Sequence, residues 1–573
     1  MTVRLCLTIC SLLAAAGGAL GQPVFRSRGL DPRVDYSALK QIGPWDDRNY
    51  ALTREDLAVL PDRDGEQRDA IPAYYRARLR LENPDMRTEG PAQYPLSALN
   101  FFLIEEGGYL VDGRYYQGAS RNGGQWTVHM EDRWSIKRLA PLEGEARVTT
   151  PNGGAESSVA IHPLDSDLAI AGTNGPGPVQ RMHRSTDGGT TWVEAAALPL
   201  GNTCCDPAVV WSSNGTKAYT VTLGIPRAVW VYRTGNQGLT WDDLANEPGG
   251  DPRREFKGTG LDDKPFLHVD GYPGSPHLDN LYLTWHSDGT MHFERSLDFG
   301  HTWDPPVVTD SIPGLLGVGS DIASDRAGNV FHVWPAYNPQ LILVAKSTDG
   351  GATFADPVTA ATTEASFGFP LPSMETREVH TVLNVDVDLT DGPYADAIYI
   401  NWTDSTAPTS GNPSTNHGRI QVAASHDSGA TWLVTTPHET EDAATVDRYH
   451  PWLKVAPDGS VHVIFYDTRR DLPGRDQVDL FHSVSHDGGA TWSSPDRLTT
   501  EQSPNISDSF EFGDYNGLDI LMANAIAIYT DNRHEGGGAG NSVDVYAAGI
   551  DLLRLFADGF ESGDTSAWDT AVP

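Results

Sequence analysis

The chain has 573 residues, enough for several ordinary domains or for one large repeat fold. Its 58 glycines and 39% hydrophobic residues are typical of a globular, turn-rich protein. The formal net charge of −36 argues against nucleic acid or an anionic membrane surface as a partner, because both would repel the chain. The surplus carboxylates leave calcium binding open. Because no loop of the EF-hand type is present, neither a metal nor another cofactor is predicted.

The first 21 residues have the pattern of a secretory signal peptide. Arg4 supplies a positive charge, residues 5–16 form an apolar run, and residues 19–21 (Ala-Leu-Gly) offer a cleavage site flanked by small residues. The apolar run is too short to span a membrane, and no other stretch qualifies. We therefore expect the mature protein to be exported, either secreted or periplasmic, without a membrane span.

Two of the four cysteines, Cys6 and Cys10, lie in the signal peptide, which leaves the adjacent pair Cys204 and Cys205. Export favours oxidised cysteine. Neighbouring Cα atoms, however, lie only about 3.8 Å apart, below the usual range for a disulfide. A vicinal disulfide and two unreactive thiols both remain open. If bonded, the two sulfurs would form a small apolar platform for the face of a sugar.

Residues 22–125 and 553–573 differ from the rest of the chain. The first segment contains helix-like stretches on both sides of Pro72 and frequent Pro and Gly, so we expect an N-terminal extension outside the main fold: a cap, a pro-segment or a wrapping arm. The second is a short acidic C-terminal tail, either a sorting tag or a disordered terminus.

An eight-residue pattern, Ser-x-Asp-x-Gly-x-Thr-Trp, defines the organisation of the remaining chain. Its six copies begin at Ser185, Thr234, Ser296, Ser347, Ser425 and Ser485. The Asp (Asn236 in the second copy) can accept hydrogen bonds from backbone amides of its own turn, and the Gly permits positive φ. A spacing of about 50 to 80 residues indicates a repeat architecture.

Each octet follows three stretches with the alternation of β-strands, such as residues 281–287 and 461–467. One unit is therefore four antiparallel strands with the octet as the turn between the third and fourth. Such units repeated around an axis form an all-β fold, a β-propeller, which we place at residues 126–552. The strands favour seven blades, with an N-terminal strand from residues 126–148 completing the last blade. Six blades plus an accessory sheet is the alternative.

The order of strands separates two faces of the propeller. The octets and other tight turns share one face, whereas the long connections, among them residues 355–380 and 435–450, share the other. Functional residues tend to lie on long loops, so the site is expected on this loop-rich face. Histidines in the strands show no metal-ligand spacing and are interpreted as core residues.

Charged residues cluster where the long loops meet the strands. A glycosidase needs a nucleophile or base and an acid, for which the candidates are Asp263, Glu511, Asp514 and Tyr515. Side chains proposed to bind an anionic sugar are Lys264, Arg448, His450, Asp467, Arg469, Asp531 and Arg533. The structural alternative is that these Asp and Arg residues join neighbouring blades through salt bridges and cap turns.

The octets resemble the Asp boxes of the sialidase superfamily, also called bacterial neuraminidase repeats. The resemblance extends over residues 155–552 and implies a sialidase-like propeller. Sialidases also carry an Arg-Ile-Pro motif near the start, and this sequence has none: residues 225–227 read Ile-Pro-Arg and lie in the second unit. No catalytic residue is therefore carried over from that family.

The sequence favours a secreted, sialidase-like glycoside hydrolase that acts on anionic or terminal sugars of extracellular glycans, and functions as a monomer. Two alternatives remain. One is a propeller without catalytic activity that binds glycan or protein, which the missing Arg-Ile-Pro motif supports. The other is a lyase that cleaves uronic-acid polysaccharides by elimination, with Tyr or His as base.

Overall fold

The computed structural model describes residues 109–111, 114–116, 119–122, 125–128, 144–149, 154–175, 179–225, 228–309, 316–506, 511–521, 524–533, 543–550 and 552. The expectations for the signal peptide, for most of residues 22–125 and for the C-terminal tail lie outside this part of the chain. Its first strands form two short hairpins: β1 (Tyr109–Val111) with β2 (Arg114–Tyr116), and β3 (Ala119–Asn122) with β4 (Gln125–Val128). They are followed by β5 (Glu145–Arg147).

The main body is a ring of seven antiparallel sheets, numbered here as blades in chain order. The first contains β6 (Ala155–His162), β7 (Asp165–Asn174), β8 (Gln180–Ser185) and β9 (Val193–Glu194). The second contains β10 (Ala208–Trp211), β11 (Ala218–Gly224), β12 (Ala228–Thr234) and β13 (Arg253–Phe256). The third contains β14 (Asp262–Val269), β15 (Leu281–Ser287), β16 (Thr290–Ser296) and β17 (Val307–Val308). The fourth contains β18 (Asp321–Ser324), β19 (Val330–Tyr337), β20 (Gln340–Ser347) and β21 (Val358–Thr362).

A hairpin is inserted between the fourth and fifth blades: β22 (Gly368–Leu371) with β23 (Met374–His380). The fifth blade contains β24 (Leu383–Val387), β25 (Ile398–Ser405), β26 (Gly418–Ser425) and β27 (Leu433–Thr435). The sixth contains β28 (Arg448–Val455), β29 (Val461–Asp467), β30 (Gln477–Ser485) and β31 (Asp496–Arg497), with β32 (Ser503–Pro504) also paired to β30. The seventh contains β33 (Gly517–Leu521), β34 (Asn524–Asp531) and β35 (Asp544–Gly549).

The N-terminal strand β5 closes the ring. It pairs antiparallel with β35 as the fourth strand of the seventh blade, with Ala547 opposite Ala146. This pairing confirms both the seven blades and the expected contribution of an N-terminal strand. It hides the outer edge of β35, which would otherwise present unpaired backbone groups.

The first strand of each blade is innermost, and these strands contact their neighbours around the whole ring. Carboxylates on them accept hydrogen bonds from the next inner strand. Asp321 accepts from Val385 N at 3.0 Å, and Asp519 of the seventh blade accepts from Ile161 N of the first at 2.7 Å. Between blades the second strands bury large side chains, among them Trp285, which is fully buried in the third blade. Buried backbone groups on the inner strands are thus satisfied by neighbouring blades.

Each octet forms the turn between the third and fourth strands of its blade. In the last copy, Asp487 Oδ1 accepts from Thr491 N at 2.8 Å, and Asp487 Oδ2 accepts from Thr491 Oγ1 at 2.6 Å. Ser485 Oγ accepts from Gly489 N at 2.9 Å, where Gly489 has φ 82°. The predicted hydrogen-bonded turn is confirmed, and the turns lie on the face opposite the long connections.

Helical structure is scarce in the part of the chain that the structure describes. It consists of two short 3-10 helices, Asp243–Asn246 and Pro413–Thr415. Neither they nor any other described segment forms a helix long and apolar enough to cross a membrane.

Candidate functional site

A cavity of about 430 Å³ lies on the loop-rich face, where the inner strands begin. It is lined by Glu156, Asn174, Gly175, Cys204, Cys205, Asp206, Asp263, Lys264, Val318, Phe367, Arg377, His380 and Asp514. A larger cavity, about 510 Å³, lies around the axis on the opposite face, among the turns between the first and second strands of the blades. Carboxylates of that larger cavity, such as Asp321 and Asp519, are occupied by bonds between inner strands. We therefore place the candidate site in the smaller cavity.

In several blades, the backbone of the innermost strand bends sharply at a residue near the start of the strand. Glu156, Asp206, Lys264 and His450 all adopt the left-handed conformation, with φ between 48° and 58°. This conformation is uncommon for residues other than glycine. Three of the four precede a proline, in Asp206-Pro, Lys264-Pro and His450-Pro. Backbone strain of this kind is concentrated at functional sites, and here three of the four residues line the cavity.

Lys264 joins two carboxylates at the centre of the cavity. Its Nζ lies 3.1 Å from Asp206 Oδ1 and also binds Asp514 Oδ2. Burial opposes the charge on Lys264, but the charges of Asp206 and Asp514 outweigh it and raise the Lys264 pKa well above its usual value. Lys264 is therefore a fixed cation.

Arg377 brings a second cation from the inserted hairpin. Its Nε donates to Asp514 Oδ1 at 2.7 Å, and its Nη2 contacts both Asp514 Oδ2, at 2.7 Å, and Glu156 Oε1. His380 Nδ1, from the same strand, lies 3.1 Å from Asp514 Oδ1. The hairpin between the fourth and fifth blades thus connects the first and seventh blades across the cavity.

Asp514 is saturated by these contacts. A carboxylate offers about four lone-pair sites, and Asp514 meets Arg377 Nε, Arg377 Nη2, His380 Nδ1 and Lys264 Nζ. Burial opposes its ionisation, but Lys264 and Arg377 prevail and hold the pKa of Asp514 well below its usual value. Asp514 therefore acts as the anchor of the cluster.

Asp206 is also ionised but has fewer protein donors. Its oxygens accept from Lys264 Nζ at 3.1 Å and from Lys264 N at 3.4 Å, and its carboxylate contacts the carboxyl group of Asp263. Burial raises its pKa, whereas Lys264 and Asp263 lower it, and the net shift is downward. Asp206 is thus an ionised carboxylate with remaining capacity toward the cavity.

Glu156 differs from Asp206 and Asp514 in its protonation state. Burial raises its pKa to about 8, and the charges of Lys264 and Arg377 reverse only part of that effect. Glu156 is therefore protonated at neutral pH. The Asn174 amide donates to Glu156 Oε2, and its orientation is set because Asn174 Oδ1 accepts from Asp206 N at 3.0 Å. Both Glu156 oxygens thus face protein donors, the Arg377 guanidinium at Oε1 and the Asn174 amide at Oε2.

The cavity also has an apolar side. Cys204 and Cys205 form a disulfide bond and line the wall beside Asp206. Of the two alternatives left by the sequence, the structure contains the bonded form. Val318 and Phe367 complete this apolar lining. In the described part of the chain, no three His, Cys, Asp or Glu side chains are placed to hold a metal ion.

Of the eleven residues that the sequence nominated, the structure brings Asp263, Lys264 and Asp514 together in the cavity lining. Asp263 is half-buried, and its Oδ1 accepts from Lys264 N at 3.1 Å.

Two more candidates lie close behind the cavity wall. Tyr515 is 1% exposed, with its ring beneath Lys264 Nζ at 5.6 Å and its packing surface against Phe266. Glu511 is buried and accepts from Thr376 N at 2.8 Å, which supports the strand that carries Arg377. Burial raises the pKa of Glu511 to about 7. Neither side chain lines the cavity.

The remaining candidates belong to ion pairs at the ends of the second strands of the sixth and seventh blades, or to the core. Arg448 is fully buried against Asp467, with Nε–Oδ2 at 2.6 Å. Asp467 also pairs with Arg469 at 2.8 Å, and Asp531 pairs with Arg533 at 2.6 Å. These ion pairs lie within the sixth and seventh blades and the loop before the sixth, and do not join strands of neighbouring blades as the structural alternative expected. Asp467 and Asp531 do cap their turns, because they accept from the backbone N of Arg469 and Arg533.

His450 is buried, although its backbone has the same kink as the cavity residues. Its N donates to Thr403 Oγ1 at 3.0 Å, and burial lowers the pKa of its ring to about 3. The ring is therefore neutral and is not part of the cavity lining.

Sequence reasoning missed Glu156, Asn174, Phe367, Arg377 and His380 as site residues. Glu156 occupies the first-blade position that corresponds to Lys264, so comparing the starts of all inner strands would have found it. The last three lie in the long connection 355–380, but nothing in its sequence indicates which side chains turn toward the axis.

Comparison with known proteins gives one family model, a domain of unknown function (DUF8300), which matches residues 35–120 and does not reach the propeller. A xyloglucanase from Hypocrea jecorina (strain QM6a) is 24% identical over 524 residues, covering 81% of this chain and 55% of that protein. The chain thus spans about half the length of the curated relative that it matches.

Among solved structures, an α-L-arabinanase from Penicillium chrysogenum is 13% identical, with a TM-score of 0.38 over 72% of this chain and 99% of the other. The GH93 α-L-arabinofuranosidase of Fusarium graminearum is 10% identical, with a TM-score of 0.39 over 71% and 98%. A PL25 ulvan lyase is 10% identical, with a TM-score of 0.42 over 72% and 96%. At these identities and TM-scores, no residue role is transferred from them.

Proposed function

We propose that this chain is a glycan-cleaving enzyme, a glycoside hydrolase, with Glu156 as general acid and Asp206 as the ionised carboxylate. The observation that carries the proposal is the pair of opposite protonation states in one cavity. Burial raises the pKa of Glu156 to about 8, whereas Lys264 and Asp263 hold the pKa of Asp206 below its usual value despite burial. Two carboxyl groups with pKa values moved in opposite directions match the acid and base requirements of glycoside hydrolysis.

The proposed chemistry follows from this arrangement. Glu156 gives its proton to the glycosidic oxygen as the bond between that oxygen and the anomeric carbon breaks. Asp206 stabilises the positive charge that develops on the sugar ring and attacks the anomeric carbon, either directly or through a water that it deprotonates. If attack is direct, Glu156 then deprotonates the water that releases the sugar. Measuring the anomeric configuration of the first product by NMR separates these two routes.

The charges in the cavity favour a neutral sugar over an anionic one. Lys264 already binds Asp206 and Asp514, and Arg377 already binds Glu156 and Asp514. Both cations of the described cavity lining are therefore committed to protein carboxylates. A sugar carboxylate would have to displace one of them, so this arrangement supports neither the sialidase-like nor the lyase chemistry as well as it supports hydrolysis of a neutral glycan.

The curated relative suggests which substrate to test first. That relative is a xyloglucanase, and xyloglucan is the first substrate that we propose. We also propose that the protein is exported to the extracellular space or the periplasm. This part of the proposal rests on the signal-peptide pattern of residues 1–21.

A glycan-binding propeller without turnover is the second candidate. The observation that favours it is the burial of the charged cluster, since the side chains of Glu156, Asp206 and Asp514 are at most 3% exposed. A cluster so enclosed can also serve to hold the blades together.

The deciding experiment measures release of reducing ends from xyloglucan, arabinan, mixed-linkage β-glucan, polygalacturonate and a sialylated oligosaccharide. Glu156→Gln and Asp206→Asn should each lower turnover of a neutral substrate by about 100-fold or more, as expected for loss of an acid or base group. Glu294→Gln is the matched control, because Glu294 is a buried carboxylate with a pKa raised to about 7 and lies outside the cavity lining. Wild-type protein that turns over none of these substrates, or variants with undiminished turnover, would overturn the enzyme proposal.

A further inference from the structure

A row of aromatic rings leads from the surface of the loop-rich face into the cavity. Tyr337, at the end of β19, is 37% exposed. Its ring centroid lies 6.4 Å from that of Phe367, which lines the cavity. Phe367 in turn stacks on His380 at 5.2 Å with an interplanar angle of 14°. His380 contacts Asp514, so the row ends at the carboxylate cluster.

Three separate segments of the chain supply this surface, and their positions are held by backbone contacts. Tyr337 N donates to Leu316 O at 3.2 Å, which joins the second-to-third-strand turn of the fourth blade to the connection that precedes that blade. Phe367 O accepts from Thr381 N at 2.8 Å, which joins the entry and the exit of the inserted hairpin. The segments that carry the aromatic rings are therefore held in place by backbone hydrogen bonds. Leu316, which is also 37% exposed, lies beside Tyr337.

The chemistry of the row specifies its ligand. Tyrosine, phenylalanine and histidine present flat ring faces that suit the C–H face of a sugar ring, and the tyrosine hydroxyl and the histidine nitrogens add polar edges that suit its hydroxyl groups. The two cations of the described cavity lining are already paired with carboxylates, so charge gives an anionic chain no advantage there. The rings are consecutive, so a ligand that contacts Tyr337 and enters the cavity must extend beyond one sugar.

From these observations we propose that Tyr337, Phe367 and His380 form a stacking platform for a neutral polysaccharide chain, which they guide to the cavity. The platform rests on the proposed function and deepens it, because it assigns an extended neutral glycan as the substrate class. The platform itself requires only that such a chain binds.

The test measures binding separately from turnover. In native gels containing xyloglucan, arabinan or mixed-linkage β-glucan, a Glu156→Gln protein should be retarded by at least one neutral polysaccharide but not by polygalacturonate. Adding Tyr337→Ala or Phe367→Ala to that protein should weaken the retardation about fivefold or more in apparent dissociation constant. Tyr337→Phe, which keeps the ring, should retain most of it.

Phe299→Ala is the matched control, because Phe299 is as exposed as Tyr337, at 37%, but lies in an octet turn on the opposite face. It should bind like the Glu156→Gln parent. Retardation by none of the neutral polysaccharides, or undiminished retardation of both alanine variants, overturns the platform. Ring-dependent retardation without turnover by the wild-type protein overturns the enzyme proposal and leaves the platform supported.

Discussion

Arg377 holds Asp514 with two parallel contacts, Nε to Oδ1 and Nη2 to Oδ2, both at 2.7 Å. The two residues are 137 positions apart: one lies on the hairpin inserted after the fourth blade and the other lies at the start of the seventh. The paired geometry requires the planar guanidinium group. The inserted hairpin is thus part of the candidate site.

The first prediction concerns the two parallel contacts between Arg377 and Asp514. Arg377→Lys keeps the charge but cannot make both contacts with Asp514 and also reach Glu156, so turnover should fall about tenfold or more. Arg377→Ala removes two of the four donors to the buried carboxylate of Asp514 and should lower the free energy of unfolding by about 3 kcal/mol. Steady-state kinetics and denaturant unfolding measure the two effects. Arg254→Lys, a half-buried arginine on the outer strand of the second blade, is the control. Equal activity of Arg377→Lys and wild type would remove Arg377 from the site.

The second prediction concerns pH. Glu156 must be protonated to act as an acid, and burial raises its pKa to about 8. Turnover should therefore be constant through neutral pH and fall as the pH rises through about 8. Asp206 must be ionised, and because its pKa is lowered, the loss of activity on the acid side should lie below the usual range of an aspartate. A kcat/KM profile on a neutral substrate checks both limbs. An alkaline limb that survives in the residual activity of Glu156→Gln would assign it to another group.

The third prediction concerns the octet turns. Asp487→Ala removes the acceptor for Thr491 N and should lower the free energy of unfolding by about 1–2 kcal/mol, as for a lost capping group. Because the turn lies opposite the cavity, turnover per folded molecule should stay at the wild-type level.

Asp487→Asn provides the control for that experiment. The second octet carries Asn236 at the corresponding position, and its Oδ1 accepts from Thr240 N at 3.0 Å. The amide should therefore restore most of the lost stability. Loss of turnover in Asp487→Ala with unchanged melting would show that the two faces are assigned the wrong way round.

The fourth prediction concerns the bond between Cys204 and Cys205. No other cysteine follows residue 21, so reduction should raise the intact mass of a protein that begins at residue 22 by two hydrogens and expose two alkylatable thiols. Because both sulfurs belong to the apolar wall of the cavity, the double variant Cys204→Ser, Cys205→Ser should raise KM several-fold more than it lowers kcat. Two thiols in the untreated protein, under native and denaturing conditions alike, would contradict the bonded state. An unchanged KM would argue against a role as a sugar platform.

The blades could be predicted from the sequence because their signals are local. The Asp and Gly of each octet make a turn within eight residues, and strand alternation reports which faces are buried. These signals identified the four-stranded unit, the seven blades and the face that carries the long connections. Asp263, Lys264 and Asp514 could be nominated because they stand at strand starts on that face.

Which residues form the candidate site was decided only by the tertiary structure. Lys264 meets Asp514 across 250 positions, and Arg377 meets Glu156 across 221. No local pattern distinguishes these residues from Arg448 or Arg533, whose charges are bound by Asp467 and by Glu145 and Asp531. Seven blades must close into a ring before the starts of their inner strands converge on one cavity.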